Sequence, residues 1–269
     1  MAKMPDFISI ITGDAPLLVS LPHTGTDLPA EITGLVSQTR ARQDADWWVE
    51  NLYDFAASLG ATTVRTTISR TVIDVNRDPS GATLYPGQVT TGLCTLTTFD
   101  GEPLYVAGAE PDEAEIARRR AAYFNPYHAA LTAQIARLRE KHKTIVIYDC
   151  HSIRSVIPNL FPGTLPDFNI GTNGGGSCAP EVTAAIEKIC AATGRSRITN
   201  GRFKGGWITR HYANPANGIH SVQMELACSS YMREDGAWPS PYDPAYAAPM
   251  RAALTKILDA CLTFARSQA

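Results

Sequence analysis

The run Thr144–Tyr148, TIVIY, constrains the fold more than any other stretch of this chain. Its β-branched and aromatic residues lie between Lys143 and Asp149, and five such residues with no polar alternation read as a strand buried on both faces. A strand of that kind needs layers packed above and below it. Leu17–Leu21 and Gly218–Leu226 read as further strands, and Ala61–Thr66 and Ser69–Val75 as strands or strand fragments. Between them the pattern is helical. Residues 44–59, DADWWVENLYDFAASL, place Trp47, Leu52, Phe55 and Leu59 near one face and end at Gly60. Residues 111–143 are helical in composition, with Pro126 predicting a kink or two consecutive helices, and two more helices are expected over 180–193 and 244–265. This alternation predicts an α/β fold with a mainly parallel or mixed sheet covered by helices.

No repeat and no long linker divides the chain, so residues 1–269 read as one domain. Residues 78–108 are rich in Gly, Thr and Pro and predict a long surface excursion, a kind of loop that is usually functional or mobile. The net charge of −2 gives no basic footprint for nucleic acid. Neither a secretory leader nor an apolar run of about 18 residues appears, so the expectation is a soluble cytoplasmic protein with no membrane contact. Six cysteines, at 94, 150, 178, 190, 228 and 261, form no CxxC pair and read as free buried thiols.

Three apolar strands carry an ionisable group at or near the end: His23 after LLVSLP, His151 in TIVIYDCHS, and Glu225 in IHSVQMEL. Two imidazoles and a carboxylate at one sheet edge suit a catalytic zinc site, which takes three protein ligands and leaves a position for water. Zinc acidifies that water, and a nearby carboxylate can take its proton. The remaining ligand should be a carboxylate. Asp44 suits the ordinary role of a helix N-cap, whereas Asp46, between Ala45 and Trp47, is the better ligand candidate. Asp149 could be a ligand too, and reads better as a partner hydrogen-bonded to a ligating histidine or a nearby arginine. His128 reads as packed or as a support behind the site residues, His142 as surface, and His211 and His220 are left open.

A second group of residues suits anions. Arg70, Asn76 and Arg77 lie together in SRTVIDVNRDP, RFKGGWITR adds Arg202, Lys204 and Arg210, and Arg154 follows His151 by three positions. A guanidinium meets a carboxylate with two parallel hydrogen bonds, although a solvated surface charge is the commoner explanation for any single arginine. Near-neutral net charge favours a small anion over a polyanion. Lys204-Gly205-Gly206 lacks the spacing of a phosphate loop, and no GxSxG elbow supports a serine hydrolase.

Five blocks in order, PHTGTDLP, DADWWVENLYDFAASLGAT, SRTVIDVNRDP, YDCHSIRSVIPNLFPGTLPDFNIGTN and NGRFKGGWITRHYANPANGIHSVQMELA, resemble the N-formylglutamate amidohydrolase family over about residues 17–235. The resemblance implies a zinc-carboxypeptidase-like fold, with a mixed, twisted sheet and helices on both faces. It implies His23, Asp46 and His151 as ligands of one divalent metal, most simply zinc, with Glu225 as the general base. It also implies Asn76 and Arg77 as the grip on a substrate carboxylate. One departure concerns the carboxylate ligand. Carboxypeptidases carry HxxE, and here the position three after His23 is Thr26, so the ligand comes from elsewhere; Asp27 is adjacent, and Asp46 fits the family pattern better.

The activity implied is hydrolysis of N-formyl-L-glutamate to formate and L-glutamate, a step of histidine degradation. Two substrate carboxylates would explain a cluster of arginines, with Arg70, Arg77, Arg210 and Asn76 the first choices and Arg154 and Lys204 the second. The alternatives are a zinc amidohydrolase or carboxypeptidase acting on another N-acyl amino acid, and a non-catalytic binder of dicarboxylates.

Overall fold

The computed structural model describes residues 5–83, 87 and 90–268; residues 84–86 and 88–89 of the predicted 78–108 excursion lie outside the described residues. Its framework is a seven-stranded sheet: β1 (Ile8–Ile11), β2 (Leu17–Leu21), β3 (Thr62–Thr66), β4 (Ile145–Ile153), β5 (Phe168–Gly171), β6 (Arg197–Thr199) and β7 (Ile219–Ala227), in the order β1-β3-β2-β4-β7-β5-β6. The four central strands β3, β2, β4 and β7 run parallel. β1 and β5 pair antiparallel to their inner neighbours, which makes the sheet mixed, as expected.

The helices are α1 (Gln38–Arg42), α2 (Val49–Leu52), α3 (Glu113–Arg119), α4 (Asn125–Lys141), α5 (Pro180–Ala192), α6 (Trp207–His211) and α7 (Pro244–Ser267). They cover both faces of the sheet. Val146, Tyr148 and Cys150 of β4 and Val222, Met224 and Leu226 of β7 pack on one side with Leu254, Ile257 and Leu258 of α7 and Ile186 of α5. Ile145 and Ile147 pack on the other with Tyr127, Leu131, Ile135 and Leu138, whose helical spacing gives α4 one apolar face. Side chains alternate along a strand, so Asp149 and His151 share the α4 face with Ile147, and Gln223 and Glu225 lie opposite the Val222–Met224–Leu226 side. All four are buried.

Two expectations need correction. The 44–59 helix is not continuous. Only Val49–Leu52 is α-helical, followed by a 3-10 segment Asp54–Leu59, and Trp48 sits left-handed at φ 63°. That φ is uncommon for a bulky side chain. The Trp48 indole donates to Ser240 O at 2.8 Å, and the backbone N–H of Asp46 donates to His23 O at 2.9 Å, so this segment is bent to serve tertiary contacts. Asp44 is accordingly no helix cap; it accepts from Phe99 N–H at 2.7 Å. Ser69–Val75 is a series of turns, apolar because Val72, Ile73 and Val75 pack with the α4 side chains. At Pro126 two helices do meet: α3 runs through a π-helical segment, Arg120–Phe124, into α4, which carries Pro126 in its first turn.

His128 of α4 holds the loop that carries Asn76. Its Nε2 donates to Val75 O at 2.8 Å, so Nδ1 accepts from the Tyr212 hydroxyl at 2.8 Å, and burial lowers its pKa to about 4. Between pH 6.5 and 4 the unfolded chain then binds more protons than the folded one. This contribution is complete above pH 6.5 and is lost as pH falls towards 4, amounting to up to about 3 kcal/mol. Denaturation of wild type and His128→Gln across this range should show a shallower acid loss in the variant; parallel curves would contradict the assignment.

Candidate metal and catalytic site

The ends of β2, β4 and β7 come together through register. Ser20 pairs with Asp149 and His151 pairs directly with Glu225, so the PHTG turn after β2 lies beside His151. The His23 and His151 rings are 4.8 Å apart, centroid to centroid. Between them lies Asp46, whose Oδ2 is 3.1 Å from His151 Nδ1 and 3.8 Å from His23 Nδ1. One ligand atom from each of His23, Asp46 and His151 lies within 4.8 Å of the others. Asp27 is exposed and lies outside this cluster, as does Asp44.

The back of each imidazole is held by its own carboxylate. His23 Nε2 meets Asp74 Oδ1 at 2.6 Å and His151 Nε2 meets Asp149 Oδ2 at 3.0 Å. Both Nδ1 atoms therefore turn inward, the arrangement by which an outer carboxylate orients a ligating histidine. His23 Nδ1 and Asp46 Oδ1 are buried with no hydrogen-bond partner among the described residues, which is costly unless something else meets them. A nitrogen–oxygen–nitrogen donor set with two such orphans fits one divalent ion.

Asp74 is the hub that inspection of the sequence passed over, although it lies in the quoted SRTVIDVNRDP. It is fully buried and accepts from Arg70 Nη2 at 2.8 Å and Asn76 N–H at 2.9 Å, with Arg77 Nε at 3.3 Å. Burial opposes its charge, but His23, Arg70 and Arg77 outweigh that and hold its carboxyl well below the usual range. Burial lowers the pKa of His23. It opposes charge on His151 too, but there Asp149 and Asp46 prevail and raise the pKa well above the ordinary value. Glu225 shows the reverse balance. Burial, aided by the Asp46 and Asp149 charges, outweighs His151 and Arg70 and raises its carboxyl to about 8.

His23, His151 and Glu225 line a cavity of about 60 Å³. Its cationic wall is Arg70, Arg77 and Arg202; its apolar wall is Phe99, Ile153, Leu160 and Phe203. Arg70 lies 4.9 Å over the Phe99 ring, and Arg77 Nη2 donates to Thr91 Oγ1 at 2.9 Å. Arg202 is steadied by Leu160 O at 3.2 Å and by the Phe203 ring. The expected set is thus redrawn. Arg210, Arg154 and Lys204 do not line this cavity: Arg210 Nε donates to Gly205 O, and Arg154 pairs with Asp100 and Asp44. Asn76 does line it, but its carboxamide is engaged: Nδ2 donates to Asp149 Oδ2 at 2.9 Å and Oδ1 accepts from Ile208 N–H at 2.7 Å. His142 and His220 bond to backbone elsewhere, and His211 stacks on Trp207.

The fold and site define a class: an α/β protein with two buried histidines and an aspartate at the carboxyl ends of parallel strands, under an arginine-lined cavity. The family description N-formylglutamate amidohydrolase matches residues 15–232. The chain is 45% identical over 267 residues to an N-formylglutamate deformylase of Pseudomonas aeruginosa, covering 98% of this chain and 99% of that one. It is 46% identical over 263 residues to one of Pseudomonas putida, covering 97% of each. In fold it is similar to a crystal structure of N-formylglutamate amidohydrolase from Ralstonia eutropha JMP134, with a TM-score of 0.81 at 24% identity over 97% and 99% of the two chains. The chain belongs to the N-formylglutamate amidohydrolase family and is a hydrolase. Among the described residues no helix is long and apolar enough to cross a membrane.

Proposed function

We propose that this chain, as a single domain over residues 1–269, hydrolyses N-formyl-L-glutamate to formate and L-glutamate in the cytoplasm, as a step of histidine degradation. One divalent ion, most simply zinc, would be held by His23, Asp46 and His151. The observation that carries the reading is the pair of buried orphan atoms, His23 Nδ1 and Asp46 Oδ1, converging with His151 beneath a wall of three arginines. The substrate of the curated relatives, as their names give it, carries two carboxylates, which matches that wall.

When bound, the ion supplies Lewis acidity for the formyl oxygen and an acidified water. The chain's own groups do the rest. Arg77 and Arg202, the less buried of the three arginines, are assigned to the carboxylates, while Arg70, tied to Asp74, lends charge from behind. Phe99 and Phe203 exclude water from the methylene chain. Glu225 accepts the proton as water attacks the formyl carbon, then delivers it to the amide nitrogen as the C–N bond breaks. A formyl group is too small to be selected by shape, so discrimination rests on the dicarboxylate end.

The test measures formate release from N-formyl-L-glutamate and amine release from N-acetylglutamate and N-acetylaspartate. Metal content of wild type is compared with His23→Ala, Asp46→Ala and His151→Ala. The expected outcome is formate from the formyl substrate, and about one ion per wild-type chain that each alanine variant loses. No formate, or full metal in all three variants, would remove the proposal.

A further inference from the structure

β7 places Gln223 and Glu225 two positions apart, on one face, both lining the cavity and both buried. The Gln223 carboxamide is fixed at each end. Its Oε1 accepts from Gly206 N–H at 2.7 Å and its Nε2 donates to Glu225 Oε2 at 3.2 Å. A backbone N–H can only donate, so the first bond decides which end of the amide faces Gly206 and aims the NH₂ group at Glu225.

Gly206 is itself held firmly. A Cβ at that position would come within 2.6–2.7 Å of the Asn76 carboxamide, so only glycine lets the backbone approach this closely. The next two residues donate to Asn76, Trp207 N–H to its backbone oxygen and Ile208 N–H to its Oδ1. Asn76 in turn donates to Asp149 Oδ2, the oxygen that lies against His151 Nε2. The orientation of the Gln223 amide is therefore anchored to the same buried network that orients His151.

We propose that Gln223 is a positioning residue for the hydrolysis: it holds Glu225 by Oε2 and leaves Oε1 to exchange the proton. The inference rests on the reading of Glu225 as the general base. A glutamate has two equivalent oxygens and three rotatable bonds, and among the described residues the protein gives Oε1 no hydrogen bond. The Gln223 N–H occupies one lone pair of Oε2 and makes that oxygen the weaker proton acceptor of the two. The proton taken from water is thus kept on Oε1 until it passes to the leaving nitrogen.

The test uses Gln223→Met, which keeps length and removes the donor, with steady-state formate release as the readout. Expected is a roughly ten- to hundredfold loss of kcat, the size of one hydrogen bond to a charged group. KM should stay within about threefold and metal content should be unchanged. In a Glu225→Gln background the same change should cost less than about threefold, because the group through which Gln223 acts is already gone. Should Gln223→Met not fold, Gln223→Glu keeps the acceptor for Gly206 N–H, replaces the donor with an oxygen, and should lose kcat at least as far. Wild-type kcat in either variant, a parallel loss of metal, or an equal loss in the Glu225→Gln background would overturn the inference. A wild-type chain that releases no formate would instead overturn the reading on which it rests.

Discussion

Replacing Glu225 by Gln should lower kcat for N-formyl-L-glutamate by roughly 10²- to 10⁴-fold, the span of general acid–base catalysis, while metal content and KM stay close to wild type. Glutamine fills the same volume and can still pair with Gln223, so the change removes the proposed proton acceptor and little else. Thermodynamics supplies a second signature. A carboxyl whose folded pKa stands at about 8, against about 4.5 unfolded, withdraws stability as pH rises through that window, because the folded state holds the proton more tightly. In metal-stripped protein at pH 8, Glu225→Gln should therefore be the more stable form by a few kcal/mol. Chemical denaturation and single-turnover rates together check both signs. A variant that keeps full turnover would end the role of Glu225 as the base.

The other large effect is expected at Asp74. Asp74→Asn leaves no cavity, but it removes the charge shared by His23 Nε2, Arg70 and Arg77. Arg70 is nearly buried, and its remaining acidic contact, Asp46 Oδ1, lies 3.7 Å away. A buried cation stripped of its main partner costs about 3–5 kcal/mol. Loss of the carboxylate behind His23 should also weaken metal binding by about 10- to 100-fold. Urea denaturation and a metal-competition titration give the two numbers. Wild-type stability would mean that Asp46 alone can carry Arg70, and the hub assignment would fall.

Much of this arrangement was legible along the chain, for identifiable reasons. Apolar runs such as Leu17–Leu21 and Thr144–Tyr148 declare themselves because burial on both sheet faces leaves no polar alternation. The polar residues that interrupt them, His23, His151 and Glu225, stand out because a charge in or beside such a strand is expensive. The short strands β5 and β6 and the antiparallel edge β1 did not stand out, since three or four residues give too little periodicity. The 44–59 segment misled because its spacing is amphipathic, while the bend at Trp48 answers to contacts with residues 192 positions away.

The sequence by itself determined the long central strands and the main helices, the polar residues His23, His151 and Glu225 in or beside those strands, and the family to which the chain belongs. Tertiary structure alone decided that Asp46 joins the two histidines and Asp27 does not. It likewise decided that Arg202 faces the cavity and Arg210 does not, that Asp74 carries three partners, and that Gln223 reaches Glu225. The reason is one of range. Strand and helix character follow from residues a few positions apart, whereas these pairings join segments brought together by strand register and loop paths, which no local period encodes.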